Sequence, residues 1–532
     1  MKRLRQIRWA LLLHRVAHIA LVVLIGVVLF SGARWLYQHN YTNHKTWEDV
    51  ALRYKYRYDF QRYVGASNKH ALKEALLPSK ETQPVVTAQT AAGSVPVLLY
   101  HRIANDANPF NVPTAAFKDQ LFALKRAGWH TVSMADYIAF TKGTKKLPAK
   151  SFLLTFDDGT KDSYYPVQPI LTALNFRATN FIITRYSIDQ PAGSRYYLSV
   201  NEIKQMQASG HWDIEAHTHD GHTYYPVDSK GRKGTFYPNK LYIKSIHRME
   251  TDQEYATRVL TDMQVAKADI QRITKHPVTA IAFPFGDVGE DSDSNFQPST
   301  QILRNDVAQT FQIGLLQYFP GRGTSQSYAG TNSTYEYRVE VPSSDGARLL
   351  SFVDRGQAKR LPYVDDLKTN HGWLGSYGAM QIKDGAMTLQ STAKTTGASA
   401  VLDGTKAWSN YTFTANMQLQ KGTSFSIFAR NQGSSFQIGC NFSNNYLAIY
   451  TENGDDYQPI ADDNFFLPMG QNLNVGIRVV GNKVQCLTNG VVLDEVYDVP
   501  MPLTGGVGVS VWSPNQAVNL RVTNVSVAPV AK

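Results

Sequence analysis

Cysteine is the scarcest residue of this chain: Cys440 and Cys486 are the only two among 532 residues. That excludes a disulfide-built scaffold and any four-cysteine zinc or iron–sulfur site. Charge is sparse too, at 18% against 43% hydrophobic residues, which excludes a disordered or collagen-like chain. Residues 1–40 hold no acid and six bases, Lys2, Arg3, Arg5, Arg8, Arg15 and Arg34, out of a formal net charge of +11. The surplus left for the rest of the chain is too thin to grip nucleic acid, and no such partner is expected. Internal repeats are absent. The chain is longer than one hydrophobic core usually holds, so at least two folded domains are expected.

Behind the basic tip, residues 16–33 are apolar except for His18, Gly26, Ser31 and Gly32. As a helix they cover about 27 Å at ~1.5 Å per residue, enough for a hydrocarbon core. Lys and Arg on the leading side predict a single-pass cell-membrane anchor with a cytoplasmic amino terminus and an extracellular working part. Cleavage after Ala33 is the alternative and gives a secreted protein. The expected plan is a tip and transmembrane anchor at 1–40 and a polar stalk and linker at 41–94. An α/β domain at 95–362 and a β-sandwich at 363–532 follow. In the α/β part, residues 95–100, 151–156, 178–183, 212–216, 279–283 and 313–315 read as strands. Helices are expected from Thr114, across 162–174, after the capping box Ser199/Glu202 and at about 252–274. Such alternation suggests a barrel or a doubly wound sheet. After Pro362 helical periodicity disappears and short strands recur between turns such as Asn489-Gly490, the pattern of an antiparallel sandwich.

Four polar clusters fall at predicted strand ends, the rim where α/β barrels place their active sites. Thr155-Phe156-Asp157-Asp158-Gly159 sets two carboxylates side by side, costly unless a cation or proton separates their tasks. Successive residues at a strand end point in different directions, so one acid can bind a metal while its neighbour faces substrate. His217-Thr218-His219-Asp220-Gly221-His222 holds three of the fourteen histidines. On a helix His217 and His222 diverge; on a strand-to-loop turn they converge. Two imidazoles and a carboxylate form a three-ligand zinc set with an open position. Leu99-Tyr100-His101 and Phe283-Pro284-Phe285-Gly286 are the other two clusters.

These motifs are similar to those of the polysaccharide deacetylases of the NodB-homology type, carbohydrate esterase family four, over about 95–345. The resemblance implies a distorted (β/α) barrel with Asp157 as catalytic base and Asp158, His217 and His222 as metal ligands. The five-residue histidine spacing resembles that of the bacterial poly-N-acetylglucosamine deacetylases, whose motif order is circularly permuted. In keeping with that order, the only histidine beyond residue 277 is His371, so Leu99-Tyr100-His101 takes the place of the family's Leu-x-His and His101 becomes the general acid. Residues 282–285 align with the Arg-x-Pro-Tyr motif but carry Ala282 and Phe285 in place of Arg and Tyr; the alignment leaves the base without its arginine, and no Asp-rich fourth motif is evident. The implied oxyanion and substrate contacts are Phe285, Pro284 and Tyr100. Zinc is the expected ion, with nickel, cobalt or iron able to occupy the same donors.

The implied activity is removal of acetyl groups from an N-acetylated surface polysaccharide, poly-N-acetylglucosamine-like or peptidoglycan glycan. O-acetyl ester hydrolysis and a catalytically inactive glycan-binding surface protein are the alternatives. No obligate protein partner is inferred. Residues 221–250 carry six Lys/Arg, two acids and several tyrosines; Tyr224, Tyr225 and Tyr237 are candidate glycan contacts. The carboxyl-terminal part resembles the concanavalin-like, laminin-G-type jelly rolls through Asp365-Asp366-Leu367, Trp373, Ile382-Lys383-Asp384-Gly385 and Trp408-x-x-Tyr411. Such modules serve as glycan binders or as spacers. Cys440 and Cys486, on separate predicted strands, either pair or stay as buried thiols.

Overall fold

Strands buried on both faces are written as unbroken apolar runs, and Ser94–Tyr100 (β1), Ser151–Phe156 (β2) and Ala178–Ile183 (β3) are buried at every position. With Trp212–Thr218 (β4), Ala280–Ala282 (β5), Ile313–Tyr318 (β6) and Tyr335–Glu340 (β7) they form a closed parallel barrel. The seven strands follow chain order around it, and β7 returns to β1. The computed structural model describes residues 91–532 apart from 107, 109, 190–193, 195, 290–293, 319–325, 434–435, 454–455, 516 and 532. All of them lie in one compact unit, Ala66–Lys532.

Helices Thr114–Arg126 (α1), Val200–Ala208 (α2) and Asp252–Thr274 (α3) flank the barrel. Capping boxes open two of them, Ser199 with Glu202 for α2 and Thr251 with Glu254 for α3. The helix expected across 162–174 is instead a single 3₁₀ turn, Lys161–Ser163, followed by Gln168–Leu174. Pro166 and Pro169 interrupt it, because proline lacks the N–H an interior turn requires. Strand β7 was not expected at all. Its sequence, Tyr-Glu-Tyr-Arg-Val-Glu, puts three charged residues where a buried strand normally carries aliphatics, yet Glu336, Arg338 and Glu340 are all buried.

From Tyr363 onward the chain builds two antiparallel sheets packed on an apolar core. One contains Tyr411–Lys421, Leu473–Val480, Lys483–Thr488 and Asn519–Pro529. The other runs from Trp373–Tyr377 through Gly397–Leu402, Gly506–Trp512, Ser424–Asn431, Gln437–Ser443 and Tyr446–Asn453 to Asp456–Asn464. Cys440 and Cys486 form a disulfide with Cα atoms 5.8 Å apart, tying one sheet to the other. The free-thiol alternative is thereby removed.

The expected membrane location requires correction. Among the described residues no helix is long and apolar enough to cross a membrane. The segment on which that expectation rested, residues 16–33, lies outside the described residues, as do the tip and the stalk.

Candidate active site

The carboxyl ends of β1, β2, β4, β5 and β7 meet at one rim of the barrel. Where β2 stops, Asp158 adopts φ +72° and Gly159 φ +69°. Aspartate tolerates that region better than most residues, and Gly159 is needed there because a Cβ would lie 2.9 Å from Ile182 Cγ2. The two residues fold the chain back and carry the Asp158 carboxylate toward the turn after β4. That turn is held by Asp262 of α3, whose carboxylate accepts from the Thr218 hydroxyl (2.7 Å), from the main-chain N–H of His219 (3.0 Å) and Asp220 (2.7 Å), and from the Tyr237 hydroxyl (2.6 Å). A side chain at Gly221 would collide with Thr218 Oγ1 at 2.6 Å. The tight turn thus swings His222 back over His217, their rings 5.1 Å apart.

Asp158 Oδ1 lies 3.2 Å from His222 Nε2 and 3.6 Å from His217 Nε2. All three ligand atoms fall within 4.8 Å of one another, and Asp158 Oδ1 is buried without a hydrogen-bond partner. An orphaned carboxylate oxygen facing two imidazole nitrogens is a donor set that a divalent ion satisfies. His217 donates its Nδ1 proton to the Ala282 carbonyl at 2.8 Å, which leaves Nε2 with its lone pair toward the group. Burial pushes His217 down to about 4, so the ring is neutral at physiological pH. Burial opposes charge on Asp158, but the adjacent His222 outweighs it and holds the carboxyl below its ordinary range.

Asp157 points away from this group into the barrel. Arg338 of β7 grips it with two parallel hydrogen bonds, Nη1 to Oδ1 at 2.6 Å and Nη2 to Oδ2 at 2.7 Å, both side chains buried. Burial disfavours the Asp157 charge; the guanidinium overrides that and lowers its pKa. The arginine missing from residues 282–285 is therefore supplied by a strand that alternation did not reveal. A second charged residue of the same strand, Glu340, faces His101. His101 Nδ1 stands 3.4 Å from Glu340 Oε1, and the Gln317 amide donates to Glu340 Oε2 at 2.9 Å. Burial works against protonating His101, yet Glu340, Asp158 and Asp157 together raise its pKa.

Phe285 takes φ +63°, a strained conformation for a bulky residue, and its ring lies 4.8 Å from that of His222 and 4.9 Å from that of Tyr224. Pro284 beside it is buried. Three expected contacts turn elsewhere. Tyr100 points outward from the barrel, where its hydroxyl donates to Gln120 of α1 at 2.9 Å and its ring packs on Phe117 and Phe156; strand alternation sends it opposite to His101. Tyr237 is buried and braces Asp262. Tyr225 donates to the Asp220 carbonyl at 3.0 Å. Only Tyr224, more than half exposed, presents a face at the rim. His219 belongs to a different neighbourhood, 3.0 Å from Thr184 Oγ1.

A parallel barrel thus carries an Asp-His-His group able to hold a metal ion at its carboxyl rim, with a second, arginine-clamped aspartate beside it. The family model for polysaccharide deacetylase matches residues 144–297, the part of the barrel that holds Asp157, Asp158, His217 and His222. Among curated proteins, the poly-beta-1,6-N-acetyl-D-glucosamine N-deacetylase of Escherichia coli K12 is 28% identical over 170 residues, 30% of this chain and 25% of that protein. The enzyme of the same description from Staphylococcus aureus MRSA252 is 26% identical over 209 residues, 36% of this chain and 65% of that protein. The match thus spans a quarter to two thirds of these relatives' length. Among solved structures, a de-N-acetylase from Aggregatibacter actinomycetemcomitans aligns at 20% identity and a TM-score of 0.41, over 48% of this chain and 98% of that one. The BpsB deacetylase domain of Bordetella bronchiseptica aligns at 23% identity and a TM-score of 0.40, with the same two coverages.

Proposed function

We propose that the barrel hydrolyses acetamido groups of an N-acetylated polysaccharide of the poly-N-acetylglucosamine type, with zinc as the ion. The observation that carries this reading is the convergence of Asp158, His217 and His222 around one point while Arg338 holds Asp157 apart. A divalent ion on those three ligands supplies Lewis acidity toward the acetyl carbonyl and toward a water beside it. Asp157, kept ionised by Arg338, accepts the proton of the attacking water. The main-chain N–H of Phe285 is our assignment for the protein's donor to the developing oxyanion. His101, whose charge Glu340 favours, delivers a proton to the leaving nitrogen. Tyr224 is the candidate surface for a sugar ring at the rim.

The His101–Glu340 pair favours an amide over an ester substrate. An amine is too basic to depart as an anion and must be protonated, whereas an alkoxide needs that proton less. Acetate release from N-acetylglucosamine oligomers, measured beside release from O-acetylated xylan, tests this. Chelation is expected to abolish the first activity and zinc to restore it. His101→Ala is expected to depress amide hydrolysis more than any ester hydrolysis; faster release from the xylan, or activity indifferent to chelator, overturns the reading.

A further inference from the structure

We propose that Gln317 is a positioning residue for proton delivery: its amide holds the Glu340 carboxylate on His101 and off Arg338, while its backbone seats the turn that carries Phe285. The inference rests on the catalytic reading above and adds to it a residue that belongs to none of the four motif clusters. Strand β6 puts Ile313 and Leu315 into the barrel core beside Val97, Leu153 and Ala282. Alternation makes Gln317 the next inward position of that strand, where the pattern calls for a third aliphatic. A glutamine there brings amide donors and a carbonyl acceptor to the carboxyl rim instead.

Its neighbours give that amide a task. Gln317 is the register partner of Arg338 on β7. Arg338 and Glu340 are two positions apart on that strand, so both face inward about 6.6 Å from each other along it. Arg338 commits Nη1 and Nη2 to Asp157, and its Nε is buried with no hydrogen-bond partner among the described residues. A carboxylate within side-chain reach of an unpaired guanidinium N–H is drawn to it, because Coulomb attraction strengthens out of water. Glu340 nevertheless turns the other way. The Gln317 amide donates to its Oε2 at 2.9 Å, and its Oε1 stands 3.4 Å from His101 Nδ1. Gln317 thereby keeps two charge pairs separate, Arg338 with Asp157 and Glu340 with His101. Were Glu340 to swing onto Arg338, the acid would lose its carboxylate and the base would share its arginine.

The second contact is steric. Phe285 and Gly286 both take positive φ, +63° and +66°, and the turn they form lies directly on Gln317. A Cβ at Gly286 would sit 2.9 Å from Gln317 Cβ and 3.0 Å from its main-chain N. The Phe283 N–H donates to the Leu315 carbonyl at 3.0 Å, so the turn hangs from β6 two residues before Gln317. One residue thus joins the proposed oxyanion donor to the carboxylate that faces the acid. Methionine at 317 fills a similar space under the turn and has no proton to give Glu340, which separates packing from positioning.

The test is Gln317→Met in the full chain. Its kcat for acetate release from N-acetylglucosamine oligomers is expected to fall about tenfold, a part of the ~10²–10⁴ that a placed acid contributes, with KM little changed. Hydrolysis of 4-nitrophenyl acetate, whose phenolate leaves without a proton, is expected to fall several-fold less. In a double-mutant cycle, Gln317→Met added to Glu340→Gln is expected to lower the amide rate no further. Gln317→Asn, one methylene short of Glu340, is expected to repeat the loss and replaces the methionine variant should that one fail to fold. Wild-type amide rates, equal losses on amide and ester, or losses that multiply in the double variant overturn the inference. A crystal structure of Gln317→Met supplies a readout apart from activity: Glu340 is expected on Arg338 Nε, and a carboxylate still turned to His101 overturns the proposal. A wild type that releases no acetate from any substrate sinks the catalytic reading, and the direction of Glu340 in that crystal still decides what Gln317 holds.

Discussion

The barrel and the sandwich handle buried charge in opposite ways. Between Ser94 and Glu340 eleven Asp, Glu, Lys or Arg residues are buried, among them Asp157, Glu215, Asp262, Glu336, Arg338 and Glu340; from Tyr363 onward only Asp365 and Arg430 are. Taking an ion out of water costs several kcal/mol, and replacing a buried pair by apolar residues is often neutral or stabilising. A fold that keeps so many is not optimised for stability alone. In the barrel Asp157, Arg338 and Glu340 stand at the carboxyl rim and Asp262 holds a turn beside it, while Glu215 accepts from the Thr279 and Ala280 main-chain N–H groups at the opposite end. In the sandwich, stability rests on an apolar core and one cross-sheet disulfide.

The contrast can be broken most forcefully by neutralising the clamp. Replacing Asp157→Asn together with Arg338→Met is expected to lower acetate release by ~10²–10⁴-fold, while urea unfolding shows stability held or improved. A double variant that unfolds would show that the pair serves the fold instead. Removing one partner is different. Arg338→Ala leaves a lone buried carboxylate and is expected to cost ~3–5 kcal/mol in the same measurement. On the sandwich side, Cys440→Ala with Cys486→Ala opens a loop of 46 residues, a loss of about 4 kcal/mol at most in the chain-entropy picture. Differential scanning calorimetry is expected to show that loss while acetate release from short oligomers persists.

The smallest expected effect concerns pH. His101 has a raised pKa, so the proposed general acid stays protonated to higher pH than an ordinary imidazole and is lost as pH rises through that value. Asp157 has a lowered pKa, so the proposed base is lost only in acid, below the ordinary carboxylate range. The rate should therefore be bell-shaped. Glu340→Gln removes a group that holds the His101 proton, and the alkaline limb is expected to move to lower pH with the acid limb fixed. An unmoved alkaline limb would remove His101 from its role.

The chain's own residue order fixes much of this protein. Apolar runs wrote six of the seven barrel strands, glycine-and-asparagine turns announced the sandwich, and adjacent aspartates with clustered histidines marked the metal group. Those signals are local: a period of two, a capping box, or two acids that repel unless something separates them. Only the closed barrel decided the rest. Arg338 lies more than 180 residues from Asp157, and Glu340 more than 230 from His101, so no spacing rule connects either pair. Their strand reads as polar because its charges face one another across the barrel and not the solvent. The turn that gathers the histidines depends on Asp262, far along another helix, and Tyr100 and Tyr237 were drawn into packing by the direction of their strand and turn. Residue types give the chemistry available at a rim; which of them point inward, and at what partner, is set when β7 closes on β1.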